Sequence, residues 1–163
     1  MKDLTSILKN KRIDAPVSVQ VTQPFKNGVF KSVKEAMEIA DWKKYISRGS
    51  KVVLKPNLGW DKLIPGAISS PWVVEAVILV IKDYVSDISI IESDQVVCDA
   101  DKVVRLTGIL KLCEKYHIPL VNMSKGKYIR YKKDNRLVLH DVKIPEILSN
   151  SELITLPYNE NAQ

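Results

Sequence analysis

Three short polar clusters in this sequence combine residue types that do chemistry together. Lys55-Pro56-Asn57 sets a positive point charge beside an amide that both donates and accepts, and the proline ring fixes the chain direction between them. Ser69-Ser70-Pro71 reads as a helix start, with serine as the cap and proline at the first helical position. Such a start offers unpaired N–H groups and a partial positive charge, which favour anions. Glu92-Ser93-Asp94 supplies carboxylates that can hold a sugar hydroxyl, a metal ion or a lysine such as Lys55. Together they describe a site for an anionic small molecule. Lys55 neutralises charge and Asn57 orients the ligand. Ser69 and Ser70 touch it, and Glu92, beside Ser93, positions a metal ion or takes a proton. Each cluster also has a plainer use. Lys55 can reach solvent along its own stem, Asn57 can cap a turn, Ser70 can cap its helix, and Glu92–Asp94 can be a solvated loop. No residue is assigned a catalytic role, and no metal site is assigned.

The elements that must position these clusters follow from periodicity. Met1–Ile13 reads as a short amphipathic helix, and Val17–Thr22 alternates strictly, as a half-exposed strand does. Ser32 and Glu35 have capping-box spacing before a helix from Val33 to about Tyr45. Lys51–Leu54 is a strand, Pro71–Val85 a helix apolar almost all round, and Asp87–Ile91 a strand. A helix runs from Asp99 or Ala100 through Tyr116, followed by a strand over Pro119–Met123. Lys127–Tyr131 and Leu137–His140 are expected to pair as a hairpin, Ile144–Leu148 to form a short helix, and Leu153–Leu156 a last strand. This alternation implies an α/β fold: a mainly parallel open sheet, Rossmann-like and three-layered, with helices on both faces, right-handed crossovers and a small β-hairpin insertion. In such sheets ligands bind outside the carboxyl ends of the strands, where all three clusters fall.

Composition narrows the function classes. The chain has 163 residues, 25 Lys plus Arg against 19 Asp plus Glu, and a net charge of +6. That favours anionic partners without the strong bias of a nucleic-acid binder. Basic residues between Lys125 and Arg136, interleaved with Tyr128 and Tyr131, give a nucleic-acid-binding module as the alternative, and the weaker, reading. Lysines on an exposed hairpin more often discourage edge pairing. Two cysteines, Cys98 and Cys113, make neither a disulfide framework nor a four-thiolate iron–sulfur site within one chain. Two distant histidines argue against structural zinc. Reduced cysteines, no export signal and no apolar run long enough to span a bilayer point to the cytoplasm, with no membrane partner.

The runs Lys51-Val52-Val53-Leu54-Lys55-Pro56-Asn57-Leu58, Ser69-Ser70-Pro71-Trp72-Val73-Val74-Glu75-Ala76 and Ile90-Ile91-Glu92-Ser93, in that order, resemble the domain of unknown function 362 family over roughly residues 17 to 157. The resemblance implies a cytoplasmic α/β domain of unassigned reaction, with a redox association. Members are often joined to a module carrying iron–sulfur clusters, so such a cluster is expected only through a partner or fused module. This chain by itself is expected to bind none. The lysine- and histidine-containing segment that usually follows the last strand of members is replaced here by Tyr158-Asn159-Glu160.

Residues 1–163 are therefore read as a single α/β domain, shortened relative to the family. Leu153–Leu156 is expected to be central or near-central in the sheet and to leave apolar surface or an open edge beside it. Self-association, or a non-catalytic role completed by a partner chain over this strand, follows as a further alternative. Lys55→Ala is expected to weaken anion binding at little cost in stability.

Overall fold

Val52-Val53-Leu54 is a continuous apolar run because both faces of its strand are covered. The structure, a computed structural model, describes residues 27–62, 64, 66–132 and 141–157. In it Lys51–Pro56 (β1), Asp87–Glu92 (β2), Leu120–Asn122 (β3) and Glu152–Leu156 (β6) form one parallel sheet in the order β3-β2-β1-β6. Tyr128–Lys132 (β4) and Asp141–Pro145 (β5) pair as an antiparallel hairpin outside it. Leu54 lies opposite Ile90 and Ile154, Pro56 opposite Leu156, and Glu92 opposite Asn122. The four strands therefore end side by side, and their polar continuations share one edge.

Four helices, Val29–Ile39 (α1), Pro71–Ile81 (α2), Ala100–Leu106 (α3) and Ile109–Tyr116 (α4), join the larger core. There Val52, Leu54, Ile88 and Ile90 meet Val74, Val77, Ile78 and Ile81 of α2, and Val103 and Ile109 behind them. A smaller cluster on the other face joins Val53, Ile91 and Met123 to Ile147 and Leu148. Its cover comes from two 3-10 turns, Met123–Lys125 and Glu146–Asn150. The fold is thus the expected α/β arrangement, helical elements around a parallel sheet plus a hairpin.

Several boundaries differ from the sequence expectation, each for a local reason. Gly28, at φ 78°, lets the chain enter α1 four residues before Val33. Ser32 then lies buried inside the helix, its N–H bonded to the Gly28 carbonyl, and Glu35 faces Lys31 instead of a cap. The capping box does not form. α1 ends at Ile39, and left-handed Asp41 starts a 3-10 turn that seats Trp42 edge-on against Tyr84. α2 ends at Ile81 rather than Val85. The long helix expected through Tyr116 is split into α3 and α4 by Gly108 at φ 80°. Asp99 does cap α3, its carboxylate accepting from the Lys102 N–H. The second hairpin strand is Asp141–Pro145, and Ile144 pairs with Ile129 there, so no helix spans Ile144–Leu148. Met1–Ile13, Val17–Thr22 and Leu137–His140 lie outside the described residues. The last strand, expected to be central, pairs with β1 alone among the described residues and so ends the sheet that those residues form. No described helix is long and apolar enough to cross a membrane.

Candidate functional site at the carboxyl edge of the sheet

Lys55 follows Val53, which faces the smaller cluster, whereas Glu92 follows Ile88 and Ile90, which face the helices. By alternation the two side chains belong to opposite faces. They meet because both strands stop here. The Lys55 ammonium curls over the edge and lies 3.1 Å from Glu92 Oε1 and 3.4 Å from Oε2. Glu92 is 1% exposed, and the Lys55 side chain 33%. The backbone N–H of Ser93 donates to Glu92 Oε1 at 2.9 Å. These partners offset the cost of burying a carboxylate, which without them is several kcal/mol, roughly. One member of the pair is inside and the other reaches the opening.

The remaining expected residues sit beside this pair with different duties. Ser69 is buried, donates to the Leu156 carbonyl at 2.6 Å and accepts from the Asn57 N–H at 2.8 Å. Its own N–H bonds the Asn57 carbonyl at 2.9 Å. Expected as a ligand contact, Ser69 instead fastens the end of β1 to the end of β6, and so sets where Asn57 stands. Ser70 is the helix cap by backbone position, yet its hydroxyl makes no capping bond, and it remains half-buried at the edge. Asn57 and Ser93 are half-buried. The structure therefore groups Lys55, Glu92 and Ser93 directly, and Asn57, Ser69 and Ser70 next to them along the chain.

Asp94, from the third cluster, anchors a second polar network at the same edge with Asn122 and Ser124, which the clusters did not include. Asp94 Oδ1 accepts from the Ala100 N–H and from Asn122 Nδ2, each at 3.0 Å, and Ser124 Oγ accepts from the Asp94 N–H at 2.9 Å. The Ala100 N–H, and then Asn122, hold the Asp94 carboxyl below its ordinary value. Lys125 closes the network on Asp101 at 2.5 Å. Asn122, a polar residue ending a strand at the ligand edge, was the available signal. Cys98 donates its thiol to the Leu58 carbonyl at 2.9 Å. Burial, and then the charge of Glu92, raise its pKa, which keeps it a thiol rather than a nucleophile.

Two other regions compete for attention. A cavity of about 410 Å3 runs from the first residues of β1 and β2 to the end of β3, bounded by Lys51, Ser89, Val121, Lys127, Glu146 and Ser151. It contains none of the expected residues. Its charged groups Lys51, Asp87, Lys127 and Glu146 are solvent-exposed, whereas the carboxyl edge holds the buried Glu92, so the carboxyl edge is the stronger site. On the basic hairpin, Arg130 grips Asp141 through Nε at 2.7 and 2.9 Å and through its terminal nitrogen, and Lys125 is taken by Asp101.

No curated protein and no solved structure matches this chain. Residues 52–157, from within β1 to just past β6, match the family described as Domain of unknown function (DUF362). That span takes in the sheet and the whole Lys55–Glu92 edge, and the chain belongs to this family.

Proposed function

We propose that the carboxyl edge binds a small molecule bearing an oxyanion, with Lys55 as the contact and Glu92 as its fixed counter-ion. The observation that carries this is the asymmetry of the pair, a fully buried Glu92 holding a partly exposed Lys55. Glu92 and the Pro56 carbonyl aim the ammonium, so little side-chain freedom remains to be lost on binding. A bound oxyanion would accept from the outward N–H of Lys55, with Asn57 and Ser70 supplying further polar contacts. The redox association rests on the family resemblance alone. The nucleic-acid reading would draw on Arg130 and Lys125, both engaged by carboxylates, and the partner-chain reading on the edge of β6.

Calorimetric titration with inorganic phosphate and with sulfate tests the proposal. Glu92→Gln removes the competing negative charge while keeping an acceptor for the Ser93 N–H, and it should tighten binding several-fold. The Lys55→Met/Glu92→Gln double variant leaves no buried charge unpaired and should abolish binding while remaining folded. Equal affinity in the wild type and both variants would refute the role of the pair.

A further inference from the structure

We infer that the ligand of this edge is an amphipathic anion, whose charged head meets Lys55 while a flat apolar body lies on Trp60 and Val97. This rests on the anion reading above. Trp60 is 48% exposed and Val97 60%, and Val96 is fully exposed. Val96 and Val97 are the two central residues of a tight turn closed by the Gln95 N–H on the Cys98 carbonyl at 2.8 Å and by the Cys98 N–H on the Gln95 carbonyl at 3.2 Å. Turns favour Gly, Asn, Asp, Ser and Pro. Two β-branched residues there have neither a local nor a burial reason in the free chain.

The turn and the Trp60 loop are fastened to each other. The Cys98 thiol bonds the Leu58 carbonyl, and Lys102 bonds Asp61 at 2.8 Å, so the residues on both sides of Trp60 are tied to the segment after β2. Gly59 has no positive φ, so the backbone does not demand glycine. A side chain there would begin 3.7 Å from Gln95 Oε1 and 3.9 Å from Asn57 Oδ1, in the gap between the two loops. Trp60 is three residues from Asn57, so their Cα atoms are at most about 11 Å apart. The apolar platform thus begins within one small ligand's length of the polar edge. The other two tryptophans differ. Trp42 is buried, and Trp72, 70% exposed, lies away from the buried Val74, Ile78 and Ile81 stripe of α2.

The test compares naphthyl phosphate, inorganic phosphate and naphthol by calorimetry and tryptophan fluorescence on the full chain. Naphthyl phosphate should bind at least about tenfold more tightly than phosphate, equivalent to about 1.4 kcal/mol. Trp60→Ala should erase most of that gain and leave phosphate affinity and thermal stability unchanged, and Trp72→Phe should change neither affinity. Phosphate binding with no gain from the aryl group overturns this inference and leaves the anion reading standing. Naphthol binding as tightly as naphthyl phosphate also overturns it, because the apolar platform would then act apart from Lys55. Binding of neither anion removes the anion reading, and this inference with it.

Discussion

Glu92 is buried and held by the Lys55 ammonium and the Ser93 N–H, and removing one partner of a buried pair leaves the other uncompensated. Lys55→Met should therefore destabilise the protein by about 2 kcal/mol, below the usual cost of breaking a buried pair because water reaches the lysine end. This differs from the expectation from sequence that Lys55→Ala costs little stability, because Lys55 holds the buried Glu92. Urea unfolding of Lys55→Met, Glu92→Gln and the double variant checks it, and a Lys55→Met midpoint equal to wild type would contradict it. A second residue-scale expectation concerns acid. Hydrogen bonds from Lys115 and then Tyr116 lower the Glu75 pKa below its ordinary 4.5 and link α2 to α4. A lowered folded pKa gives stability that is present above about pH 4.5 and is lost as pH falls through the folded value. Melting temperature measured from pH 6 to pH 3 should fall less steeply in Glu75→Gln than in wild type. Burial pushes Cys113 up to about 11 and raises Cys98, so iodoacetamide at pH 8 should label neither thiol until urea is added. At this scale the three clusters were legible, because strand ends are local. The duty of Ser69 was not, since its partner Leu156 lies 87 positions away.

At the scale of elements, strand positions read well from the β-branched runs at Val52–Leu54 and Ile88–Ile91. Helix ends did not. Both Gly28 and Ser32 are plausible starts for α1, and the choice fell to the glycine because the Ser32 side chain packs inside. Gly108 splits a continuous apolar pattern because its backbone is left-handed, which periodicity does not encode. Gly108→Ala should cost about 1–2 kcal/mol through that φ, although nothing crowds the added methyl. Ser69→Ala removes the bond to Leu156 and deprives the Asn57 N–H of its acceptor, for about 1–3 kcal/mol. Denaturant midpoints with unchanged slope check both, and a midpoint unmoved in Ser69→Ala would show that this clasp is dispensable.

For the whole molecule, strand order read poorly: the apolar run Leu153–Leu156 suggested a central strand, but alternation gives a parallel sheet and not which strand is outermost. β6 lies at the described edge with Leu153 47% exposed, and self-association through this edge remains the expectation. Sedimentation velocity over a concentration series checks it: Leu153→Lys should shift the distribution to monomer, and a monomer at every concentration would remove the expectation. On the reading proposed above, the carboxyl edge, rather than the cavity beside Lys51 and Glu146 or the basic hairpin, is where this chain meets its ligand. Titration of the nitrogen-15-labelled protein with inorganic phosphate, followed by amide shifts, tests it most directly. Saturable shifts confined to Lys55–Gly59, Ser69–Val73 and Glu92–Cys98 are expected. Shifts centred on Gly126–Lys132 and Glu146–Ser151 instead would contradict it.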